Sequence, residues 1–169
     1  MFFLFLISLS TSNILINDYG EIVLSDFGLA KTISEIEKGL ISVTKRGTQK
    51  YRAPETYYIL KDPSLYLKSD IYSFGLIIAE IITGYIWDLK DIPYKNLSRL
   101  VAKMTYIDPL GRPSIEQVYK TIFQVYKLVR QRLYPETQDL IPYIVDIIRE
   151  LKSLSAKEKE YIIRKYLRQ

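Results

Sequence analysis

The chain has 169 residues, of which 48% are hydrophobic and 25% are charged, as expected for one globular domain. It contains neither Cys nor His, which excludes disulfides, thiolate or imidazole metal sites and nucleophilic catalysis that depends on a histidine base. The net charge of +5 comes from scattered charges, so we expect a mixed solvated surface and no nucleic-acid partner.

The start of the chain is uncharged and apolar. Residues 1–11 contain only Met, Phe, Leu, Ile, Ser and Thr. This run lacks the positive region that opens a signal peptide, and it is shorter than the roughly 20 apolar residues that cross a bilayer. The expected location is therefore cytoplasmic, with no membrane partner.

The first recognisable element is a β-hairpin between Asn13 and Phe27, where two apolar runs flank the turn residues Asp18-Tyr19-Gly20. Residues 33–46 have little periodicity and predict an extended loop. The apolar run from Asp70 to Thr83 predicts a central buried helix, which ends at Gly84.

Two more helical patterns follow. Ser114 and Gln117 form a capping-box signature that opens a helix through Val129. A second stripe comprises Leu140, Ile141, Ile144, Val145, Ile148 and Leu151, and a capping signature over residues 155–158 precedes a short helix. We expect both of these last helices to cover part of the preceding domain, because apolar stripes usually belong to a core; the alternative is that they bind a separate partner. The predicted fold class is thus mainly α, with one small hairpin.

Short motifs occur in order along this framework. They are Ser25-Asp26-Phe27-Gly28-Leu29, the string GTQKYRAPE over residues 47–55, the string SDIYSFG over 69–75, and DPLGRP over 108–113. One such motif alone is weak, whereas four in order are specific. From about Ser12 to Val129 the chain resembles the C-terminal lobe of a eukaryotic protein kinase, and the GTxxYxAPE form resembles the Ser/Thr branch. The resemblance implies a kinase-like C-lobe, with extra C-terminal helices.

The resemblance also implies roles for residues at the hairpin and the loop beyond it. Asn13 and Asp26 correspond to the oxygen ligands that hold Mg²⁺ on the phosphates of ATP. Leu15 corresponds to the floor beneath adenine; without the resemblance it would be a core residue. Thr48 corresponds to a residue that shapes the substrate-facing loop, and Thr44 to a position that is often phosphorylated.

Other matches imply structural roles. Gly28 completes the Asp-Phe-Gly motif, and Glu55 and Arg112 correspond to a buried ion pair that is costly to break. Asp70 corresponds to an acceptor of backbone hydrogen bonds from the catalytic loop, and its alternative role is an ordinary helix N-cap. We expect both roles of Asp70.

The sequence departs from the family pattern before Asn13. Ser8 stands where the family has its catalytic base, and a hydroxyl cannot accept a proton as a carboxylate does at pH 7. Ser10 replaces the Lys that contacts the transferred phosphate, and no GxGxxG loop or strand Lys is present. ATP and Mg²⁺ are thus implied as cofactors and a protein as substrate, but no catalytic group is intact and half of the nucleotide site has no counterpart.

Three hypotheses follow. The first divides the sequence into an artefactual start (1–11), translated from a non-coding stretch, part of a kinase domain (12–130) and a helical extension (131–169) of a longer Ser/Thr kinase. The second is a truncated pseudokinase that binds proteins, in which residues 2–7 form a buried strand. The third is a helical interaction protein with accidental motifs; it predicts that Asn13 does not lie near Asp26, nor Glu55 near Arg112.

Overall fold

Helices dominate the part of the chain that the computed structural model describes, which comprises residues 4–5, 9–19, 21–26, 31–32, 49–57, 65, 67–86, 89–92, 94–131 and 141–153. The helices are α1 (Leu67–Thr83), α2 (Lys95–Met104), α3 (Ile115–Gln131) and α4 (Ile141–Ser153). None of the helices in these ranges is long and apolar enough to span a membrane. The prediction of a mainly helical fold is confirmed.

The strands form two small antiparallel sheets. One pairs β2 (Ile14–Ile16) with β3 (Ile22–Leu24), which confirms the predicted hairpin. Its turn is held by Asn17, whose side-chain oxygen accepts hydrogen bonds from the backbone N–H groups of Tyr19 (3.0 Å) and Glu21 (2.9 Å). The other sheet pairs β1 (Leu4–Phe5) with β4 (Lys31–Thr32). The predicted fold class, mainly α with one hairpin, does not include this second sheet.

Helix α1 is the centre of the core. Every residue from Ile71 to Ala79 is buried, as its uniformly apolar sequence predicts. The helix ends at Thr83 because Gly84 adopts a positive φ of 77°, while its N–H still donates to the carbonyl of Glu80 at 2.9 Å. The predicted C-terminal glycine is therefore in the conformation that glycine favours.

Helix α2 was not identified from the sequence. Leu97, Leu100, Val101 and Met104 are all buried, and their spacing is that of one helical face. The face packs on α1 and α3. The signal is present in the sequence, but four apolar residues among charged ones are easily passed over.

Helices α3 and α4 complete the core. The predicted capping box of α3 is present: the Ser114 N–H donates to the Gln117 side chain at 2.8 Å, and the Gln117 N–H donates to the Ser114 hydroxyl at 3.3 Å. Helix α4 packs on α3 and β3 and buries Ile144, Val145, Ile147 and Ile148. This helix covers part of the preceding domain, as expected. The short helix predicted after Ser155 and the loop predicted over 33–46 lie outside the described residues.

Candidate functional site

The open end of the hairpin brings Asn13 and Asp26 to one edge. Asn13 ends a 3₁₀ turn (Thr11–Asn13), and its carbonyl accepts hydrogen bonds from the N–H (2.9 Å) and the hydroxyl (3.3 Å) of Ser25. Because Ser25 directly precedes Asp26, these bonds fix the chain entering Asp26 beside Asn13. Two polar side chains far apart in sequence thus lie at the same end of one small sheet.

Asp26 has an unusual backbone conformation. Its φ is 59°, and it is the one non-glycine residue with a positive φ in the part of the chain that is described. An L-residue is seldom found there, and such strain collects at functional sites. The Asp26 side chain is exposed, so the carboxylate is available to a ligand.

The two side chains fit a magnesium ion that is bound together with phosphate. They offer a carboxylate and an amide oxygen, and Mg²⁺ typically takes one or two protein carboxylates and completes its shell with water and phosphate oxygens. Among the described residues no cluster of three or more metal-ligating acids occurs. A carboxylate and an amide oxygen are donors of the type that a nucleotide-bound Mg²⁺ takes from a protein.

Leu15 lies on the outward face of the same hairpin. It pairs with Val23 across the sheet, and it is 49% exposed while Val23 is 42% exposed. The alternative that Leu15 is a core residue is therefore wrong; the core positions of this hairpin are Ile22 and Leu24. An apolar surface remains open next to Asn13 and Asp26.

Ser10 occupies a buried position. It is 1% exposed, and its hydroxyl oxygen lies 2.8 Å from that of Ser12. A short, buried, hydrogen-bonded hydroxyl has neither the charge nor the reach of a lysine. The other residues singled out in this region and in the loop beyond it, Ser8, Gly28, Thr44 and Thr48, lie outside the described residues.

Glu55 and Arg112 form a buried ion pair. Arg112 Nη1 donates to Glu55 Oε1 at 2.5 Å and Nη2 donates to Oε2 at 2.8 Å, which is the bidentate geometry that suits a guanidinium and a carboxylate. The Arg112 side chain is fully buried and that of Glu55 is 5% exposed. The pair joins the segment after residue 49 to the loop before α3.

The remaining Arg112 donors are also satisfied. They reach the carbonyls of Tyr106 (2.7 Å), Lys68 (2.8 Å) and Ile107 (3.2 Å), and the guanidinium lies 4.8 Å from the centre of the Tyr72 ring. Burial, together with the nearby Arg112 charge, lowers the pKa of Lys68. The buried charge of Arg112 is tolerated because every N–H group of its guanidinium donates a hydrogen bond.

The N-cap role expected for Asp70 is wrong. Helix α1 begins at Leu67, so Asp70 lies inside the first turn rather than before it. The sequence suggested the later start because the apolar run begins after Asp70, whereas Lys68 and Ser69 are already helical. Asp70 is half-buried and has an interaction partner, so a role as an acceptor remains a prediction.

A polar network that the sequence patterns do not predict links the 3₁₀ turn at Thr11–Asn13 to the C-terminal part of α1. The Thr11 and Tyr51 hydroxyls are 2.7 Å apart, the Tyr51 hydroxyl donates to Glu80, and Lys50 Nζ donates to Glu80 Oε1 at 2.8 Å. Partial burial raises the pKa of Glu80, but the hydrogen bonds from Lys50 and Tyr51 outweigh it and lower that pKa overall. A glutamate within the apolar sequence of α1 was the available signal.

The sequence matches the family described as "Protein kinase domain" over residues 8–151. The chain belongs to the protein kinase family. The match includes the hairpin, the Glu55–Arg112 pair and most of α4. It begins at Ser8, the residue predicted to stand at the position of the catalytic base.

Named relatives are plant kinases of the Ser/Thr and receptor-like types. Serine/threonine-protein kinase PBL13 of Arabidopsis thaliana is 33% identical over 157 residues, which cover 83% of this chain and 30% of the relative. LysM domain receptor-like kinase 3 of the same species is 48% identical over 77 residues, covering 45% and 11%. Probable serine/threonine-protein kinase PBL7 is 49% identical over 76 residues, covering 45% and 19%. The chain thus spans less than a third of the length of these relatives.

Proposed function

We propose that this chain forms the C-terminal lobe of a Ser/Thr protein kinase domain, whose full-length parent transfers phosphate from ATP to proteins in the cytoplasm. The observation that carries the proposal is the hydrogen bonding of Ser25 to the carbonyl of Asn13. It brings Asp26 and Asn13 to the same end of the hairpin, next to the exposed apolar face of Leu15 and Val23. With Ser8 at the position of the base, the chain as it stands transfers no phosphate.

The proposed role of each residue at the nucleotide site follows from the chemistry of its side chain. Asp26 and Asn13 hold Mg²⁺, which neutralises phosphate charge when it is bound. Leu15 offers its half-exposed side chain to the adenine ring. A serine at position 8 cannot take the proton of a substrate hydroxyl, because its hydroxyl is not a base at neutral pH.

The other residues act through structure or regulation in this proposal. The Glu55–Arg112 pair holds the segment that follows Thr48, the residue proposed to shape the substrate-facing loop. Gly28 completes the motif at Asp26, and Asp70 accepts hydrogen bonds from the loop near Ser10. Thr44 is the proposed phosphorylation site, since a phosphate there would change the charge of the loop before Gln49.

Metal binding tests the proposal directly. We expect Mn²⁺, added with a non-hydrolysable ATP analogue, to broaden the NMR signals of residues near positions 13 and 26. Asp26→Asn should abolish the broadening. Asp18→Asn is the matched control, because Asp18 is an exposed carboxylate at the opposite end of the same hairpin. Broadening that survives Asp26→Asn, or that depends on Asp18, contradicts the assignment.

Activity tests the role of Ser8. Neither the chain nor its Ser8→Asp variant should phosphorylate a peptide alone, because the residues that hold the rest of ATP have no counterpart in the sequence. A parent protein with Asp at this position should be active and lose activity with Asp→Ser. Transfer by the present chain that Asp26→Asn abolishes would contradict the proposed inactivity.

A second function, a pseudokinase that binds proteins without catalysis, is favoured by one observation. Strand β1 (Leu4–Phe5) pairs with β4 (Lys31–Thr32), and this hypothesis assigns a strand to residues 2–7. Sequencing the transcript through codons 1–13 separates the two. A reading frame that continues upstream into His-Arg-Asp-Leu-Lys supports the longer kinase, whereas a stop codon directly before Met1 supports the binding module.

A further inference from the structure

A groove of about 970 Å³ runs between α2 and α3, away from the hairpin that carries Asn13 and Asp26. Leu100 and Val125 form its floor and are almost fully buried. Its rim carries Arg99 and Lys103 from α2 and Lys127 from α3, all of them exposed. The groove thus combines an apolar base with a positively charged rim, a combination that differs from the mixed charge of the chain as a whole.

The rim charges have no carboxylate partners in the part of the chain that is described. Lys50, Arg112 and Arg149 each pair with an acid, but no such pair involves Arg99, Lys103 or Lys127. Arg99 and Lys103 are also four residues apart on one helix, where like charges repel. Lys127 lies over the Phe123 ring at 4.8 Å, which leaves its charge unneutralised.

The acids are missing from the lining as well. The residues that line the groove are basic, amide-bearing, hydroxylic or apolar, and none is an aspartate or a glutamate. The potential in a concave site lined by one sign of charge is focused towards its opening. The groove therefore attracts an anionic ligand.

We propose that this groove docks an acidic segment of a partner protein, with its apolar side chains against the exposed Ala102 and the alkyl stems of the basic residues around Leu100 and Val125, and its carboxylates on Arg99, Lys103 and Lys127. Grooves between two helices suit a helical or extended peptide, and Asn96 and Gln124 on the two walls offer amides to its polar groups. A nucleic acid would meet the cations but leave the apolar floor without a partner. The proposal goes beyond phosphoryl transfer, since none of these residues belongs to the nucleotide site.

Charge reversal tests the proposal with the full chain. The probe is a fluorescein-labelled peptide of about three helical turns, rich in Glu and Leu, and its binding is followed by fluorescence anisotropy. We expect Arg99→Glu with Lys103→Glu to weaken binding about tenfold or more, since two attractive contacts become repulsive. The matched control is Lys95→Glu with Lys120→Glu, which changes the net charge equally at exposed positions of the same helices outside the groove.

Two further arms keep the outcome interpretable. A basic peptide with Lys in place of Glu should bind the Arg99→Glu, Lys103→Glu variant and not the original chain, which shows that the variant is folded. A peptide with Gln in place of Glu should not bind. Equal loss in both double variants, no binding of the acidic peptide, or tighter binding of a short DNA duplex than of the peptide would each overturn the proposal.

Discussion

The helical region and the hairpin bury their apolar residues to different extents. In α1 every residue from Ile71 to Ala79 is buried, because α2 and other elements cover it on all sides. In the hairpin Ile22 and Leu24 are buried, whereas Leu15 and Ile16 are 49% and 60% exposed. A helix covered all round positions its neighbours rigidly, while a sheet covered on one face keeps the other face for a ligand or another part of a protein. The proposed nucleotide site lies on this half-covered element.

The largest effect is expected where the helical region is tied to the segment after residue 49. Arg112→Met leaves Glu55 buried without its partner, which should lower the free energy of unfolding by about 3–5 kcal/mol. Urea unfolding monitored by circular dichroism measures the loss.

The matched control for this variant removes both charges. Arg112→Met combined with Glu55→Leu should recover most of the lost stability, because no unpaired charge remains. A single variant as stable as the original chain would show that the pair does not tie the two parts together. A double variant no better than the single one would assign the loss to packing.

Matched truncations test the comparison of the two regions most directly. Ile77 is fully buried in α1, so Ile77→Ala should cost about 2–5 kcal/mol of unfolding free energy. Leu15→Ala removes a half-exposed side chain and should change the free energy by less than about 0.5 kcal/mol. Urea titrations of both variants measure the difference. A large loss from Leu15→Ala would mean that the outer face of the hairpin is covered in solution.

Sequence patterns predicted the parts of the fold whose signal is local. The hairpin, α1 with its glycine end, the capping box at Ser114 and the apolar stripe of α4 all depend on neighbouring residues, and all are present. Helix α2 was missed because its four apolar positions stand among six polar or small ones. The predicted start of α1 is late because Lys68 and Ser69 are polar and their helical state depends on tertiary contacts, such as that of Lys68 Nζ with the carbonyl of Arg112 at 2.8 Å.

The candidate site was predictable in its members but less so in its connections. The motifs predict Asn13, Asp26, Glu55 and Arg112. The structure shows that Arg112 is hydrogen-bonded to Glu55 and that Ser25, which precedes Asp26, is hydrogen-bonded to Asn13. The network of Thr11, Tyr51, Glu80 and Lys50 was not anticipated, since it joins residues up to 69 positions apart. Residue types in motifs are enough to identify candidate functional residues. Contacts between side chains that are distant in sequence can be identified only once the fold is known.

Close packing within the helical region predicts a moderate effect at Gly75. An added Cβ would lie 2.9 Å from Met104 Cβ, which is anchored to the backbone of α2. Although Ala favours helix more than Gly does, by about 1 kcal/mol, the overpacking should cost about 1–3 kcal/mol and outweigh this gain. Thermal unfolding of Gly75→Ala should therefore show a lower Tm.

The control for Gly75 is Gly111. An added Cβ there would lie even closer to a neighbour, 2.7 Å from Tyr106 Cδ1, but the Tyr106 side chain is 55% exposed and can rotate away. Gly111→Ala should thus change the free energy of unfolding by less than about 0.5 kcal/mol. If Gly111→Ala were the more damaging variant, contact distance rather than the freedom of the neighbour would decide the cost.

The smallest effect is expected at the Lys50–Glu80 pair, which lies at the end of α1 nearest Thr11. The hydrogen bond that Lys50 donates to Glu80, followed by its hydrogen bond with Tyr51, raises the pKa of Lys50 above 10.5, and the pKa of Glu80 is lowered below 4.5. Because the pKa of Glu80 is lowered, its ionised form stabilises the fold fully at pH values above 4.5, and this stability is lost as the pH falls through the lowered pKa. Because the pKa of Lys50 is raised, its charged form stabilises the fold fully at pH values below 10.5, and this stability is lost as the pH rises through the raised pKa.

Lys50→Gln should therefore destabilise the protein slightly at pH 7, and the difference from the original chain should shrink as the pH falls below 4.5. The loss is small because the pair is open to solvent. Urea unfolding across the acid range measures it, with Lys90→Gln as an exposed control that should show no such trend. A difference that stayed constant down to full protonation of Glu80 would mean that Lys50 acts through packing on the Tyr51 ring, 4.7 Å from its ammonium, and not through charge.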